Sequence, residues 1–170
     1  GLEGHWPALR AAEDRFHGRS SGLDVLAVLA GRPRCLQVVD GRPRDLAPGL
    51  RVADAQLLLV SSGAEKRTAE SMAVLRARME AEPATAQVLA GLGALTLELL
   101  ALLQRGELGE RFQALVAENH RRLRALGLSH PRLDAAAELL LRFGLGGKLT
   151  GGGRGGYLLC LLGAAEWAAR

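Results

Sequence analysis

The order of apolar and polar residues changes character near residue 64. Before that point, short apolar runs alternate with turn residues, which is typical of strands and short helices. Cys35–Val39 and Gln56–Ser61 predict β-strands, and the first is followed by a break at Asp40–Pro43. Trp6–Phe16 predicts a helix, and a turn-rich stretch separates it from the apolar segment Val25–Ala30.

Beyond residue 64 the apolar residues recur with the period of a helix. Four helices are expected there, at about 64–82, Ala84–Gln104, Glu107–Leu126 and Pro131–Gly144. In the first, the residues that recur at helical spacing are Thr68, Met72, Leu75 and Met79. The predicted core positions are Phe112, Leu115, Val116, Leu123 and Leu126 in the third, and Leu133, Ala137, Leu140 and Leu141 in the fourth. Tyr157–Leu162 predicts a last strand, with a short helix after it. The predicted fold class is α+β, a small sheet carrying about four helices.

Length and composition exclude several protein classes. The chain has 170 residues, of which 48% are apolar and 24% charged, as in an ordinary soluble domain. Its longest apolar stretches are far shorter than the ~20 residues of a membrane span, so we expect no membrane partner. Collagen, coiled coil and disordered tail are excluded as well. The chain opens on Gly1 without an initiator Met, which suggests a processed or excised piece.

The net charge of +4 does not indicate nucleic-acid binding. All basic residues except Lys66 and Lys148 are arginines, and these are scattered among acids. One Tyr and three Phe leave little for base stacking. Cys35 and Cys160 lie in apolar runs and predict free, buried thiols in a reducing compartment. The four histidines lack metal-ligand spacing, so no metal site is predicted.

The glycine-rich segment 148–156 is the most conspicuous motif. Gly151, Gly153 and Gly156 satisfy G-x-G-x-x-G, but a helix is predicted before them and a strand after them, the reverse of a dinucleotide-binding unit. Lys148 precedes the glycines, which excludes a Walker A loop. The segment therefore predicts a loop whose exposed amides can approach an anion or another loop, with a simple flexible turn as the alternative.

A second candidate is the turn-rich run that ends at Asp24. Small residues and glycines place this carboxylate directly after a tight turn, where it can face a cleft. The alternative is an ordinary helix-capping or turn residue.

Together these segments resemble the mevalonate kinases, members of the GHMP small-molecule kinase superfamily. His17-Gly18-x-x-Ser21-Gly22-x-Asp24 is similar to their H-G-x-P-S-G-x-D stretch, and Glu13 upstream also matches. The run from Asn119 to Asp134 resembles their helix–turn–helix, and Lys148-Leu149-Thr150-Gly151-x-Gly153-x-Gly155-Gly156 resembles their third motif, K-L-T-G-A-G-G-G-G. The resemblance implies a GHMP kinase C-terminal domain over 51–170, with a small antiparallel sheet, preceded by the end of the N-terminal domain over 1–50.

The resemblance also implies an activity. Mevalonate kinases transfer the γ-phosphoryl group of ATP to the primary hydroxyl of mevalonate in isoprenoid biosynthesis, with Mg²⁺. Asp24 would be the catalytic base or orienting group. The implied substrate-binding residues are His17, Ser21, Gly22 and Thr68, and the implied support of the phosphate loop is Thr150, Gly151, Gly152, Gly153 and Arg154. A cytoplasmic location and a possible homodimer are expected on the same ground.

Departures from the family pattern keep two alternatives open. Arg154 replaces a glycine of the third motif, where it either obstructs the approach to phosphate or places a guanidinium on it. Ser20 replaces the proline, Val25 an expected asparagine, and Tyr157 a small residue. The phosphate loop, catalytic lysine and Mg²⁺-binding acid of the family's N-terminal half are not found, so we expect this chain to be inactive without that half as its partner. A non-catalytic binding or scaffold domain, or a kinase for another small alcohol, are the alternatives.

Overall fold

The structure, a computed structural model, describes residues 5–17, 22–40, 42–52, 54–65 and 68–168. The chain divides into two compact units, Gly1–Val52 and Ala53–Arg170.

The first unit contains two helices and a hairpin. Helices α1 (Trp6–His17) and α2 (Leu23–Ala30) confirm the predicted first helix and show that the apolar segment after the turn is helical. Strands β1 (Leu36–Val39) and β2 (Arg42–Asp45) pair antiparallel. The predicted break at Asp40–Pro43 is wrong in part, because β2 begins within it. Pro43 stands opposite Val38, which a two-stranded sheet tolerates because each strand has a free edge.

The second unit is built on a three-stranded antiparallel sheet in the order β3-β5-β4. Its strands are β3 (Ala55–Ser61), β4 (Lys148–Thr150) and β5 (Tyr157–Gly163). Its helices are α3 (Thr68–Ala81), α4 (Ala84–Arg105), α5 (Glu110–Ala125), α6 (Pro131–Arg142) and the short α7 (Ala164–Ala168). The predicted α+β class, with a small antiparallel sheet and helices, is confirmed.

The main core lies between the sheet and helices α5 and α6. Its buried members are Leu126, Leu128, Leu133, Ala137, Leu149 and Leu158. Phe112 and Val116 of the predicted α5 stripe are buried in a second cluster with Leu102 and Leu108. These clusters confirm the helical periodicity of α5 and of the first two turns of α6.

One predicted core position is wrong, and α3 does not bury every residue that recurs at helical spacing. Leu141 is 51% exposed, because the apolar run at the end of α6 is wider than one helix face and Leu140 takes the core side. In α3, Met79 is 49% exposed and Thr68 is exposed. That helix instead faces the core with Ser71, which is fully buried, and with Leu75, four residues further along.

Helix α4 bears on the expected absence of a membrane partner. Among the described helices, α4 is long enough and apolar enough to span a membrane. The core helix of a soluble protein can have the same length and composition. Leu95, Leu100 and Leu102 of this helix are buried within the unit. The absence of a membrane partner therefore stays a prediction.

Candidate functional site

The glycine-rich segment is the turn of a β-hairpin. It joins β4 to β5, which pair with Thr150 opposite Tyr157. The predicted loop over 148–156 is wrong at its start, since Lys148–Thr150 form strand β4 between α6 and the turn. Three residues are too few to show the alternation that marks a strand, and they merge with the glycine run in the sequence.

Close packing explains why the turn needs glycine at two positions. A Cβ on Gly153, whose φ is +86°, would lie 2.2 Å from the carbonyl oxygen of Leu128. A Cβ on Gly155, at φ +136°, would lie 2.5 Å from the carbonyl oxygen of Glu65. An L-residue with a side chain would therefore be both strained and obstructed at either position.

Backbone hydrogen bonds hold the turn on the same two segments. The amide of Arg154 donates to the Leu128 oxygen at 2.7 Å, and the amide of Gly156 donates to Ala64 at 3.3 Å. Ser62 donates in return to the oxygen of Gly156 at 2.8 Å. Gly153 is buried, while Gly151 is exposed and Gly152 half-buried. The exposed amides that the sequence predicts are thus confined to the start of the turn, at Gly151 and Gly152. The rest of the turn is held by hydrogen bonds on the segments of Leu128 and Ala64 and is not a simple flexible turn.

Thr68 and the turn come together in the structure. A Cβ on Gly152 would lie 2.8 Å from Thr68 Oγ1, so this hydroxyl at the start of α3 borders the half-buried part of the turn. Thr150, the last residue of β4, is half-buried immediately before the glycines. The residues from Thr150 to Arg154 and Thr68, far apart in sequence, therefore lie together in the second unit.

Arg154 adopts a left-handed backbone, with φ +56°. A residue with a side chain therefore takes a positive φ at this place in the turn. Arg154 lines a cavity of about 350 Å³ together with Glu65, Glu70 and His130. Arg154 is half-buried, and its guanidinium forms no ion pair with any acid in the described ranges. An unpaired guanidinium facing a cavity can bind an anion such as phosphate.

The predicted residues of the first unit are placed only in part. Asp24 lies exposed in the first turn of α2, where a carboxylate interacts favourably with the helix dipole. Gly22 is the N-cap of α2 with φ +74°, a conformation that favours glycine. His17 ends α1, and Ser21 lies outside the described residues. The roles of these four residues stay predictions.

A buried polar network next to the turn was missed by the sequence analysis. His120 of α5 is 5% exposed, and its Nδ1 accepts the amide of Leu149 in β4 at 3.1 Å. Its Nε2 must then carry the proton and donate to Asp134 Oδ1 at 3.1 Å. Ser129 Oγ donates to the same oxygen at 2.5 Å, and Arg124 Nε lies 3.3 Å from Oδ2.

Burial and nearby charges act in opposite directions on this histidine. Burial lowers the pKa of His120, and the Asp134 carboxylate offsets part of that effect. Lys148 and Arg124 lower the pKa further because they repel an imidazolium. Burial also lowers the pKa of Lys148, whose Nζ donates to the carbonyl of Leu149 at 2.8 Å. The neutral imidazole with its proton on Nε2 is the form that satisfies both hydrogen bonds.

Comparisons with known proteins agree with this fold. Residues 99–169 match the family described as GHMP kinases C terminal. The mevalonate kinase of Gibberella zeae is 30% identical over 157 residues, which cover 86% of this chain and 31% of that protein. A galactokinase of Mycobacterium bovis is 30% identical over 186 aligned residues, which cover 89% of this chain and 51% of that protein.

The crystal structure of L. major mevalonate kinase in complex with R-mevalonate superposes with a TM-score of 0.76 and 24% identity, over 91% of this chain and 48% of that one. This chain spans about a third of the curated mevalonate kinase from Gibberella zeae and about half of this solved structure. Residues 99–169 therefore match the C-terminal domain of the GHMP kinases, the chain shares its fold with a mevalonate kinase, and curated mevalonate kinases match most of its length.

Proposed function

We propose that this chain supplies the C-terminal part of an ATP-dependent kinase site that phosphorylates the primary hydroxyl of mevalonate in the cytoplasm. The observation that carries the proposal is the docked glycine turn, which borders the Thr68 hydroxyl, together with Arg154, which lines a cavity and forms no ion pair with an acid among the described residues. These groups are donors of the kind that bind phosphate oxygens. Isoprenoid biosynthesis is the pathway in which we expect the reaction.

The residues of the turn fit a phosphate group. The amide of Gly152 has no hydrogen-bond acceptor within the described segments, and Gly152 is half-buried. Thr68 opens a helix of 14 residues, whose first amides add a favourable field for an anion. Glu65 and Glu70 line the Arg154 cavity, so the pocket is not uniformly cationic, and phosphate is expected to bind on the guanidinium itself.

The described residues offer donors for a phosphate group but no set of ligands for Mg²⁺. Within the described ranges, no group of three or more His, Cys, Asp or Glu side chains could hold a metal ion. The ion is therefore proposed to be bound by the nucleotide phosphates and the N-terminal half, and no step is assigned to it here.

Asp24 is proposed to orient the substrate hydroxyl and accept its proton. Transfer of a phosphoryl group requires a nucleophilic oxygen held in line with the leaving oxygen, and a carboxylate is suited to that task. Support comes from the resemblance of His17–Asp24 to the mevalonate kinase motif and from the exposure of this carboxylate. In this proposal His17, Ser21 and Gly22 are substrate-binding residues of the first unit, and Thr68 is a substrate-binding residue of the second.

A partner half is proposed to cover the sheet. Leu57 and Leu59 of β3 are 56% and 51% exposed, and they stand opposite Leu161 and Leu159 of β5. An apolar strand surface of this kind is typical of a face that another domain covers. The proposed occupant is the N-terminal GHMP half; a homodimer remains a further prediction.

The galactokinase match favours one second candidate, a kinase for another small alcohol such as galactose. To decide, the chain is joined to the N-terminal half of a mevalonate kinase and release of ADP is measured with mevalonate and with galactose. Turnover with mevalonate alone is the expected result. Turnover with galactose alone would support the second candidate, and a folded fusion that binds ATP but turns over neither would support a scaffold.

A further inference from the structure

One buried side chain bonds to the strand that leads into the glycine turn and, through Asp134, adjoins the segment on which the turn is docked. His120 accepts the Leu149 amide, two residues before Gly151, on the outer edge of β4. It also donates to Asp134, which in turn accepts from Ser129. Ser129 directly follows Leu128, whose carbonyl accepts the Arg154 amide inside the turn.

We propose that His120 is a positioning residue for the glycine turn, which it holds by accepting the β4 amide of Leu149, while the carboxylate of Asp134 keeps the imidazole in the tautomer that can accept it. Among the described strands β4 is at the sheet edge, so no neighbouring strand there accepts the Leu149 amide. An imidazole is suited to replace that strand, since it accepts at one nitrogen and donates at the other. Consequences for ATP binding rest on the proposed function, whereas the hold on the turn does not.

Two substitutions separate the two hydrogen bonds. In His120→Asn the amide oxygen can take the place of Nδ1, so the bond from Leu149 is kept while the bond to Asp134 is lost. In His120→Gln the amide reaches toward the place of Nε2, so the bond to Asp134 is kept while the Leu149 amide is left without an acceptor. A merely space-filling role for His120 would not distinguish these variants.

Hydrogen exchange of backbone amides in the whole chain measures the hold directly. His120→Gln is expected to speed exchange at Leu149 and Arg154 by about tenfold, the equivalent of one net hydrogen bond. His120→Asn is expected to stay within about threefold of the unaltered chain at Leu149. Amides in the middle of α4 serve as the control and should not change in either variant. Equal exchange in both variants, or a uniform change that includes α4, would overturn the proposal.

The pH response gives a second readout on the unaltered chain. Protonation of Nδ1 would remove the acceptor of the Leu149 amide. The pKa of His120 is lowered by burial, Lys148 and Arg124 and raised by Asp134, while Glu118, Arg121 and Glu138 line the adjoining cavity of about 480 Å³. Protection of Leu149 is therefore expected to hold at neutral pH and to fall only well below pH ~6.5, the usual histidine value. His120→Asn should abolish that response, and a response that persists in it would contradict the proposal.

Two further measurements keep the test decisive. If both variants fail to fold, nitrogen NMR of the imidazole in the unaltered chain must show the proton on Nε2, and a proton on Nδ1 would refute the proposal. In the chain joined to an N-terminal kinase half, His120→Gln is expected to raise the Kd of ATP by about tenfold, and His120→Asn to leave it within about threefold. Faster exchange at Leu149 with unchanged ATP affinity would support the role of His120 and refute the phosphate role of the turn.

Discussion

Replacement of Arg154 by glycine should stabilise the fold and weaken ATP binding at the same time. Arg154 holds φ at +56°, a left-handed conformation that costs a residue with a side chain about 1–2 kcal/mol. Glycine removes that strain but adds about 0.4–1 kcal/mol of entropy to the unfolded chain. The free energy of unfolding of Arg154→Gly is therefore expected to rise by about 0.5–1 kcal/mol.

The loss in ATP binding follows from the lost guanidinium. A hydrogen bond to a charged group contributes about 1.5–3 kcal/mol, and Arg154 is half-buried, so the lower end of that range applies. That energy corresponds to about a tenfold rise in the Kd of ATP. Calorimetry on the chain joined to an N-terminal kinase half measures the Kd, and urea denaturation of the chain alone measures the stability.

Arg154→Ala is the matched control, because alanine removes the guanidinium and keeps the strained backbone. It should weaken ATP binding as much as glycine does, with no gain in stability. The opposite reasoning, that the side chain obstructs the turn, requires ATP to bind more tightly to Arg154→Gly. Tighter or unchanged binding in both variants would refute a phosphate-binding role for Arg154.

Further predictions concern the carboxylate, the packing of the turn and the effect of pH. Asp24→Asn in the joined protein should abolish turnover of mevalonate and leave the Kd of ATP within about twofold; turnover near the unaltered rate would exclude Asp24 as the base. Gly153→Ala should destabilise the chain by about 3 kcal/mol or more, because the added Cβ meets the Leu128 oxygen. The control Gly106→Ala, at φ +72° with open space around it, should cost only about 1 kcal/mol. Equal losses of stability in urea denaturation would contradict the close packing. The pKa of His120 is lowered in the folded state, so the unfolded state binds the proton more readily. The contribution of His120 to the free energy of unfolding is therefore expected to be complete above pH ~6.5 and to fall as the pH drops below it. The same pH dependence of stability in His120→Asn would contradict this.

The local apolar pattern of the sequence was sufficient to predict the positions of most helices and strands. Helices α3 to α6 and strands β1, β3 and β5 lie close to their predicted positions, because each carries a repeated apolar pattern bounded by turn residues. Strand β2 was missed because Pro43 within it disfavours a strand unless the edge is free. Strand β4 was missed because it has only three residues beside a glycine run.

The site was predictable only where its residues are adjacent in sequence. The glycine motif located the turn, but its docking depends on Leu128 and Glu65, which lie in distant segments. His120 was missed for the same reason, since Leu149 lies 29 residues away and Asp134 14 residues away. The residues on either side of His120 in the sequence are polar, so nothing in the sequence indicates that its side chain is buried.

ATP binding to this chain, alone and mixed with the N-terminal half of a mevalonate kinase, is the measurement we would make first. Calorimetry should detect no ATP binding to the chain alone and clear binding, with turnover of mevalonate, in the mixture. A folded chain that associates with that half, while the mixture neither binds ATP nor phosphorylates mevalonate, would contradict the assignment of this chain as part of a kinase site.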